Sequence, residues 1–323
     1  MTSDLRWTLA GDKPTGLFET CRQVVGKGRY RGLTFLEVES KTIINRVAKT
    51  NYFPFEYTIN CYRGCSHACV YCFARPSHDY LGLGIGEDFD RKIVVKVNAV
   101  EMTRAQTAPR HWAGHSIAMG TNTDPYQPAE GKYRLTRGVV EVLAERANPF
   151  SLLTKSPLVL RDRHLLAEAA RRAEVTVSFS VGTLDTDVWK RSEPGTPHPR
   201  QRLEAVRKLK GLGIPSGVLV APLLPGISDA PRQVAEVMRA CRDAGADFAA
   251  PIRLHLRPGV KEHYLEWLAE EFPDLVGTYH QLYGNRSYLP RPSPSGRRKS
   301  KPARQSPKQR TPASPKNGQG RLL

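Results

Sequence analysis

The stretch NCYRGCSHACVYCFAR, residues 60–75, holds four of the six cysteines of this 323-residue chain. Three residues separate Cys61 from Cys65 and Cys65 from Cys69, and two separate Cys69 from Cys72. In a reducing compartment, such a tight group of cysteines is more typical of a metal or cofactor site than of a disulfide framework. The spacing of these thiols is therefore the main evidence for fold and function.

The remainder of the sequence favours such a compartment. No apolar run approaches the roughly 18 residues that a membrane-spanning helix requires. The first residues, MTSDLRWTLAGDKPTG, lack the apolar segment of a secretory signal. We therefore expect a cytoplasmic protein without a membrane partner.

Three kinds of metal site can be compared with the cysteine spacing. Zinc sites usually divide four ligands into two separated C-x2-C pairs, whereas all the thiols here lie in one loop. The C-x2-C-x2-C run of a ferredoxin does not match either. The pattern that does match is C-x3-C-x2-C at Cys65, Cys69 and Cys72. Zinc stays an alternative at this point.

Apolar runs recur between helix-sized segments of the chain. They are nearly continuous, which is typical of strands buried on both faces of a parallel sheet. Alternation of such strands with helices predicts an α/β fold, either a full or partial barrel or an open doubly wound sheet. The predicted strands are 56–60, 92–98, 115–120, 150–156, 175–182, 217–226 and 247–256.

Polar residues gather just after several of these strands. The stretches GTNTDPYQ, TKS, SVGTLD and PLLPG follow the third to sixth runs, and the cysteine loop follows the first. In parallel α/β folds the active site is built at the carboxyl ends of the strands. We therefore expect these stretches and the cysteine loop to lie at one end of the fold.

The charge of the chain is unevenly distributed. Of the formal net charge of +18, residues 290–323 contribute ten Lys or Arg and no Asp or Glu, which leaves +8 for the rest. That segment is rich in Pro and Ser and poor in large apolar residues, so it is predicted to be a disordered basic tail. The predicted organisation is an N-terminal extension at 1–50, a core at 51–260 and a C-terminal helix with a short appendage at 261–289, followed by the tail.

The string GCSHACVYC, residues 64–72, resembles the signature of the radical S-adenosylmethionine (radical SAM) superfamily. The longer string PFEYTINCYRGCSHACVYCFARPSH resembles the branch related to spore photoproduct lyase. The resemblance implies a partial parallel (β/α)6 TIM-like barrel and a 4Fe-4S cluster on Cys65, Cys69 and Cys72. It further implies an enzyme that cleaves S-adenosylmethionine reductively, with an electron donor such as flavodoxin or ferredoxin.

The same resemblance suggests which residues surround S-adenosylmethionine. Tyr71 and Ala221 would lie beside the adenine, Thr123 and Asp124 beside the methionine amino group, and Lys155 and Ser180 near the carboxylate. A solvated lysine at a strand end and a core serine hydroxyl are the alternatives for the last two. His67 would either tune the cluster from outside its ligands or be a surface-loop histidine, and Cys61 would be a hydrogen donor or an inert small side chain.

One position departs from the related branch. Spore photoproduct lyase carries a hydrogen-donating cysteine in the loop that aligns with GTNTD, and this chain has Thr121 there. Repair of the spore thymine dimer is therefore not the expected activity. The basic charge still favours a nucleic-acid substrate. The alternatives are radical modification of a peptide or small molecule, and a zinc-stabilised nucleic-acid-binding protein without catalysis.

Overall fold

The computed structural model describes residues 7–9, 21–48, 55–108, 110 and 112–289. The chain divides into a unit of residues 1–289 and a unit of residues 290–323. The predicted basic tail lies outside the described residues, as do residues 1–6, 10–20 and 49–50 of the predicted N-terminal extension.

The described residues form twelve strands and eleven α-helices. The strands are β1 (Trp7–Leu9), β2 (Arg22–Val25), β3 (Thr34–Ser40), β4 (Ile44–Arg46), β5 (Tyr57–Ile59), β6 (Tyr62–Arg63), β7 (Lys92–Lys96), β8 (Ile117–Met119), β9 (Phe150–Thr154), β10 (Val175–Ser180), β11 (Ser216–Leu223) and β12 (Ala249–Arg253). The helices are α1 (Pro76–Asp79), α2 (Glu87–Arg91), α3 (Ala99–Gln106), α4 (Pro128–Tyr133), α5 (Leu135–Glu145), α6 (Arg163–Arg172), α7 (Thr186–Ser192), α8 (Pro199–Lys210), α9 (Pro231–Asp243), α10 (Val260–Glu271) and α11 (Val276–Tyr283). Short 3-10 helices occur at Gly28–Tyr30, Pro157–Asp162 and Pro273–Leu275.

The main sheet has seven strands in the order β12-β11-β10-β9-β8-β5-β4. The six strands from β5 to β12 in this order are all parallel, and β4 pairs antiparallel with β5 at one edge. Successive parallel strands are neighbours joined by helical crossovers, which confirms the predicted (β/α)6 fold. Among the described strands β12 pairs only with β11, so the pairing does not close into a ring.

One predicted strand belongs to a different sheet. The run 92–98 forms β7, which pairs parallel with β3 and antiparallel with β6, and β1 and β2 complete this second sheet. Phe35 and Ile93 on one face join the main hydrophobic core, while Leu36 and Val94 on the other face join a smaller cluster. Because β7 is buried on both faces, its sequence is as apolar as those of the strands in the main sheet. An apolar run does not specify which strand it will pair with, so the sequence did not indicate that β7 belongs to the second sheet.

The helix α8 shows how local sequence produces the elements of the core. Pro199 occupies its first turn, where a missing N–H is tolerated, and Gly213 adopts a φ of +75° shortly after its end. Leu203, Val206 and Leu209 are buried as their spacing predicts. Leu212 continues the same spacing but is exposed, because the helix ends at Lys210.

The helices of the fold and the ends of its parallel strands complete the description. No helix within the described ranges is both long and apolar enough to span a bilayer. The carboxyl ends of the six parallel strands lie at one edge of the main sheet, and the cysteine loop follows the first of them.

Candidate functional site

The three cysteines of the C-x3-C-x2-C pattern each begin a reverse turn. The backbone N–H of Ala68 donates to the carbonyl of Cys65 (3.1 Å), and that of Cys72 donates to Cys69 (3.2 Å). The N–H of Arg75 donates in turn to the carbonyl of Cys72 (3.2 Å). The loop therefore consists of consecutive tight turns, with a thiol at the start of each.

Gly64 allows this loop to enter the site. Its φ is +74°, and a Cβ placed there would lie 2.8 Å from both the His78 ring and the Phe89 carbonyl oxygen. The Gly64 carbonyl accepts hydrogen bonds from Thr123 Oγ1 (2.6 Å) and Gln127 Nε2 (2.9 Å). Thr123 thus fastens the loop after β8 to the start of the cysteine loop.

Arg75 holds the cysteine loop from within. Its side chain is 1% exposed, and its guanidinium donates to the Cys69 carbonyl at 3.0 and 3.2 Å. It also forms an ion pair with Asp90 at 2.9 Å and donates to the Ile85 carbonyl at 2.8 Å. A buried arginine that satisfies several carbonyls cross-links the loop to the segment before β7. This role of Arg75 was not predicted from the sequence.

Cys65 and Cys69 are buried and Cys72 is half-buried, and the three thiols influence one another. Burial raises the pKa of Cys65, and the negative charges of Asp124, Cys72 and Cys69 raise it further. Burial also raises the pKa of Cys69 and Cys72. Such thiols become thiolates only when a neighbouring cation compensates the charge. In the part of the chain that the structure describes, no three His, Cys, Asp or Glu side chains are arranged to hold a single metal ion.

Cys61 lies apart from the other three thiols. It is buried in the main hydrophobic core and not in the clusters that contain Cys65, Cys69 and Cys72. Burial raises its pKa to about 12, with a further contribution from Glu130, while Lys96 opposes the shift. This environment is that of an inert core thiol.

Asp124 has several partners of its own. Its carboxylate accepts hydrogen bonds from Thr154 Oγ1 (2.6 Å), the Lys155 N–H (2.7 Å) and the Tyr126 N–H (2.9 Å). His67 Nδ1 lies 3.3 Å from Oδ2, in an electrostatic contact without hydrogen-bond geometry. Burial would raise the pKa of Asp124, but His67 and the hydrogen bonds hold it below the usual value. The carboxylate therefore ties the ends of β8 and β9 to the cysteine loop.

His67 is not a surface-loop residue. Its side chain is only 2% exposed and faces Asp124 from between two of the cysteines. The surface alternative is therefore wrong for this histidine.

Four of the proposed cofactor residues converge at neighbouring strand ends. Lys155 Nζ, just after β9, donates to Ser180 Oγ at 2.6 Å, and that hydroxyl donates to the Ala221 carbonyl at 2.7 Å. The Lys155 Nζ also lies 5.4 Å from the centre of the Tyr71 ring. A chain of polar contacts therefore runs across β9, β10 and β11 and ends beside the cysteine loop.

Glu193 connects this chain of contacts to a buried arginine. Its carboxylate lies 3.2 Å from Lys155 Nζ and accepts short hydrogen bonds from the Tyr71 hydroxyl and the Arg202 guanidinium. Burial would raise the pKa of Glu193, but Arg202 and Lys155 hold it well below its usual range. Arg202 also donates to the Ser180 carbonyl at 2.9 Å.

Glu193 and Arg202 were not among the residues predicted for the site. One signal was available, because Arg202 lies four residues before Val206 on the apolar face of α8, where a charge needs a buried partner. The sequence did not indicate that this partner is Glu193, since Glu193 lies in the loop before α8 and not on the helix itself. The contact depends on the path of that loop.

Apolar residues cover the other side of the cysteine loop. Cys69, Val70 and Tyr71 belong to one hydrophobic cluster with residues that follow β12 and residues of α10 and α11. The buried members from these segments are Leu254, Leu256, Val260, Tyr264, Leu268, Tyr279 and Tyr283. The C-terminal helices therefore shield this side of the site from water.

A family model and related sequences match the chain. The model described as the radical SAM superfamily matches residues 59–238. An uncharacterized protein of Mycobacterium tuberculosis is 41% identical over 262 residues, which cover 81% of this chain and 77% of that protein. An uncharacterized protein of Methanocaldococcus jannaschii is 29% identical over 197 residues, covering 61% of this chain and 70% of that protein.

Solved structures of spore photoproduct lyase share the fold. A variant of that enzyme superposes with a TM-score of 0.57 at 21% identity, covering 79% of this chain and 72% of the other. Spore photoproduct lyase complexed with dinucleoside spore photoproduct gives a TM-score of 0.55 at 22% identity, covering 80% and 74%. At this level of identity the similarity concerns the fold alone.

Proposed function

Since this chain belongs to the radical SAM superfamily and is an enzyme, we propose that Cys65, Cys69 and Cys72 bind a 4Fe-4S cluster beside a site for S-adenosylmethionine. When bound, the reduced cluster would supply one electron to the sulfonium of S-adenosylmethionine and so generate a 5′-deoxyadenosyl radical. The observation that carries the proposal is the position of these three thiols, two buried and one half-buried, each at the start of a turn, next to the contacts of Lys155.

The donor set fits such a cluster. Thiolates are the usual ligands of iron–sulfur clusters, and three of them leave one iron open for a small molecule. The fourth thiol of the loop, Cys61, faces Lys96 and Glu130 in the core and so does not compete for that position. Iron supplies the positive charge that these buried thiols need in order to ionise.

Lys155 is the residue that we assign to the carboxylate of S-adenosylmethionine. Its ammonium is held by Ser180 Oγ at 2.6 Å and Glu193 at 3.2 Å, which limits its motion and directs its remaining hydrogen. Tyr71 and Ala221 border the same space, and we assign them to the adenine. All four stand at the carboxyl ends of strands or in the cysteine loop, where ligands of parallel α/β folds bind.

Thr123 and Asp124 would act on the methionine amino group through the loop that they hold. The oxygens of Asp124 already accept three hydrogen bonds and face His67. Its role in this proposal is therefore to fix the backbone after β8, so that the loop presents its polar groups to the ammonium. Thr123 does the same by its bond to the Gly64 carbonyl.

We assign the substrate to the nucleic acids. The formal charge of +18 favours a polyanion. Spore photoproduct lyase, which shares the fold, has been solved with a dinucleoside spore photoproduct. Thr121 donates no thiol hydrogen, and its hydroxyl is engaged by Asn60 at 3.2 Å, so the reaction on the nucleic acid would differ from repair of that lesion. The electron would come from a small redox protein of the flavodoxin or ferredoxin kind.

An anaerobic reconstitution tests the proposal. The wild-type protein is loaded with iron and sulfide, reduced with dithionite and given S-adenosylmethionine, and 5′-deoxyadenosine is measured with the iron content. We expect Cys65→Ala to lose cluster iron and product. Cys61→Ala, which removes a thiol from the same loop, is the matched control and should retain both. Retention of zinc in place of iron, or equal product from Cys65→Ala, would contradict the proposal.

A further inference from the structure

Two exposed segments run side by side beyond the end of β12. The backbone N–H of Leu256 donates to the Ser287 carbonyl at 3.0 Å and joins residues 254–257 to residues 286–288. Leu254 and Leu256 are buried, while His255 and Arg257 alternate with them and reach the surface. Residues of the two segments therefore share one outer face.

An aromatic pair occupies this face. The rings of His255 and Tyr288 stack with their centres 3.7 Å apart and an angle of 14° between their planes. Tyr288 nevertheless remains 63% exposed. Since His255 covers one side of the tyrosine ring, the exposure belongs to the other side and the ring edge. An apolar ring face of this size is open to a flat partner.

The same face carries positive charge. Arg257 and Arg286 are both exposed, and neither forms an ion pair with another residue in the described part of the chain. The segments 253–259 and 284–289 contain no Asp or Glu. Burial and the charge of Arg257 lower the pKa of His255, so its ring is neutral at pH 7 and stacks without a charge of its own.

The face adjoins the candidate functional site. It lies at the carboxyl end of the sixth parallel strand, at the same edge of the sheet as the cysteine loop. Leu254 and Leu256, on the inner side of the segment, belong to the same hydrophobic cluster as Cys69 and Tyr71. The inner side of this segment and the cysteine loop therefore belong to one continuous apolar cluster.

We propose that His255, Arg257, Arg286 and Tyr288, here named the aromatic platform, bind single-stranded nucleic acid next to the active site. An unpaired base stacks on the open face of Tyr288, and the two arginines contact adjacent phosphates. The open ring selects an unpaired base because the faces of bases in a duplex are already stacked. The proposal rests on the proposed nucleic-acid substrate, and it adds which surface holds the strand.

Fluorescence anisotropy of labelled oligothymidylate and oligouridylate with the full-length protein tests the aromatic platform. We expect Tyr288→Ala to weaken binding about tenfold, as for the loss of one stacked base, whereas Tyr288→Phe retains binding. The matched control is Phe248→Ala, which removes an exposed aromatic ring that immediately precedes β12, whereas the aromatic platform follows the other end of that strand. Comparison of the affinities for oligothymidylate and oligouridylate shows whether the aromatic platform prefers DNA or RNA.

The arginines are tested through salt dependence. The double variant Arg257→Ala with Arg286→Ala should bind more weakly and should reduce the slope of log affinity against log salt by about one to two. Arg171→Ala removes an exposed arginine at the end of α6 and should leave the slope unchanged. Unaltered affinity in Tyr288→Ala, or a preference for duplex that no platform variant changes, would overturn the proposal.

Formation of 5′-deoxyadenosine without any oligonucleotide separates the two proposals. If wild type and the platform variants all form 5′-deoxyadenosine, and the platform variants bind the oligonucleotide as tightly as wild type does, the aromatic platform is wrong and the proposed function stands. If neither wild type nor any variant forms 5′-deoxyadenosine, while Tyr288→Ala binds the oligonucleotide more weakly than wild type does, the aromatic platform stands and the proposed function fails. Circular dichroism of each variant establishes that the fold is retained.

Discussion

The ammonium of Lys155 lies 3.2 Å from the carboxylate of Glu193, although 38 positions separate the two residues in the sequence. The carboxylate also holds the Tyr71 hydroxyl and the Arg202 guanidinium. One buried acid thus positions a cation, an aromatic residue of the cysteine loop and a helix. A change at Glu193 should therefore affect both cofactor binding and stability.

The variant Glu193→Gln tests the first effect. The amide keeps the size of the side chain but removes its charge. Lys155 therefore loses its ionic partner, and its ammonium is no longer held in one orientation. We expect the Kd for S-adenosylmethionine to rise about tenfold, in line with a misaligned charge-assisted contact. Anaerobic equilibrium dialysis measures the Kd, and Glu266→Gln, an exposed change on α10, is the control. Unchanged affinity would remove Glu193 from the positioning of Lys155.

Glu193 should also shape the pH dependence of stability. Burial by itself would raise the pKa of Glu193, but the charges of Arg202 and Lys155 hold that pKa below the ordinary value of 4.5. A carboxyl with a lowered folded-state pKa contributes stability above its unfolded pKa, and this contribution is lost as the pH falls. The wild-type free energy of unfolding should therefore decrease below about pH 4.5 more steeply than that of Glu193→Gln. Urea unfolding at several pH values measures both curves, and parallel curves would contradict the assignment.

Gly64→Ala tests the entry to the cysteine loop. The added Cβ would meet the His78 ring and the Phe89 carbonyl oxygen at 2.8 Å, in a backbone with a φ of +74°. We expect a loss of more than about 2 kcal/mol of stability, together with reduced iron retention. Gly82→Ala is a close control, because its φ is +71° but no atom lies within 4 Å of the added Cβ. Equal losses in the two variants would assign the whole effect to backbone strain.

Lys96 offers a test at alkaline pH. Burial and the charge of Arg63 lower its pKa to about 8, from the ordinary value of 10.5. Between these values the unfolded chain binds the proton and the folded chain does not, so wild-type stability should gain a rising contribution with pH. Lys96→Met should remove that contribution, whereas Lys92→Met on the same strand should keep it. Urea unfolding at about pH 8 and about pH 10 gives the slopes. A slope unaffected by Lys96→Met would show that the lysine stays charged.

Much of the fold was predictable because its signals are local. The apolar runs marked all six parallel strands, and their alternation with helices indicated a parallel α/β fold. The (β/α)6 arrangement itself was implied by the resemblance of the cysteine loop to the radical SAM signature. The run of β7 was also recognised as a strand, but its sheet was not. Its pairing with β3 joins residues far apart in the sequence, and two runs with the same apolar character do not reveal which of them will meet.

The sequence by itself determined the six parallel strands of the main sheet, the spacing of the three thiols and the polar stretches that follow the strands, because each depends on residues close together in the chain. Only the tertiary structure decided that Cys61 faces the core, that His67 is buried against Asp124, and that Glu193 joins Tyr71, Lys155 and Arg202. It also placed Tyr288 on His255. These contacts arise where strand ends and their loops converge, and a charge or ring in the sequence does not specify its partner across that distance.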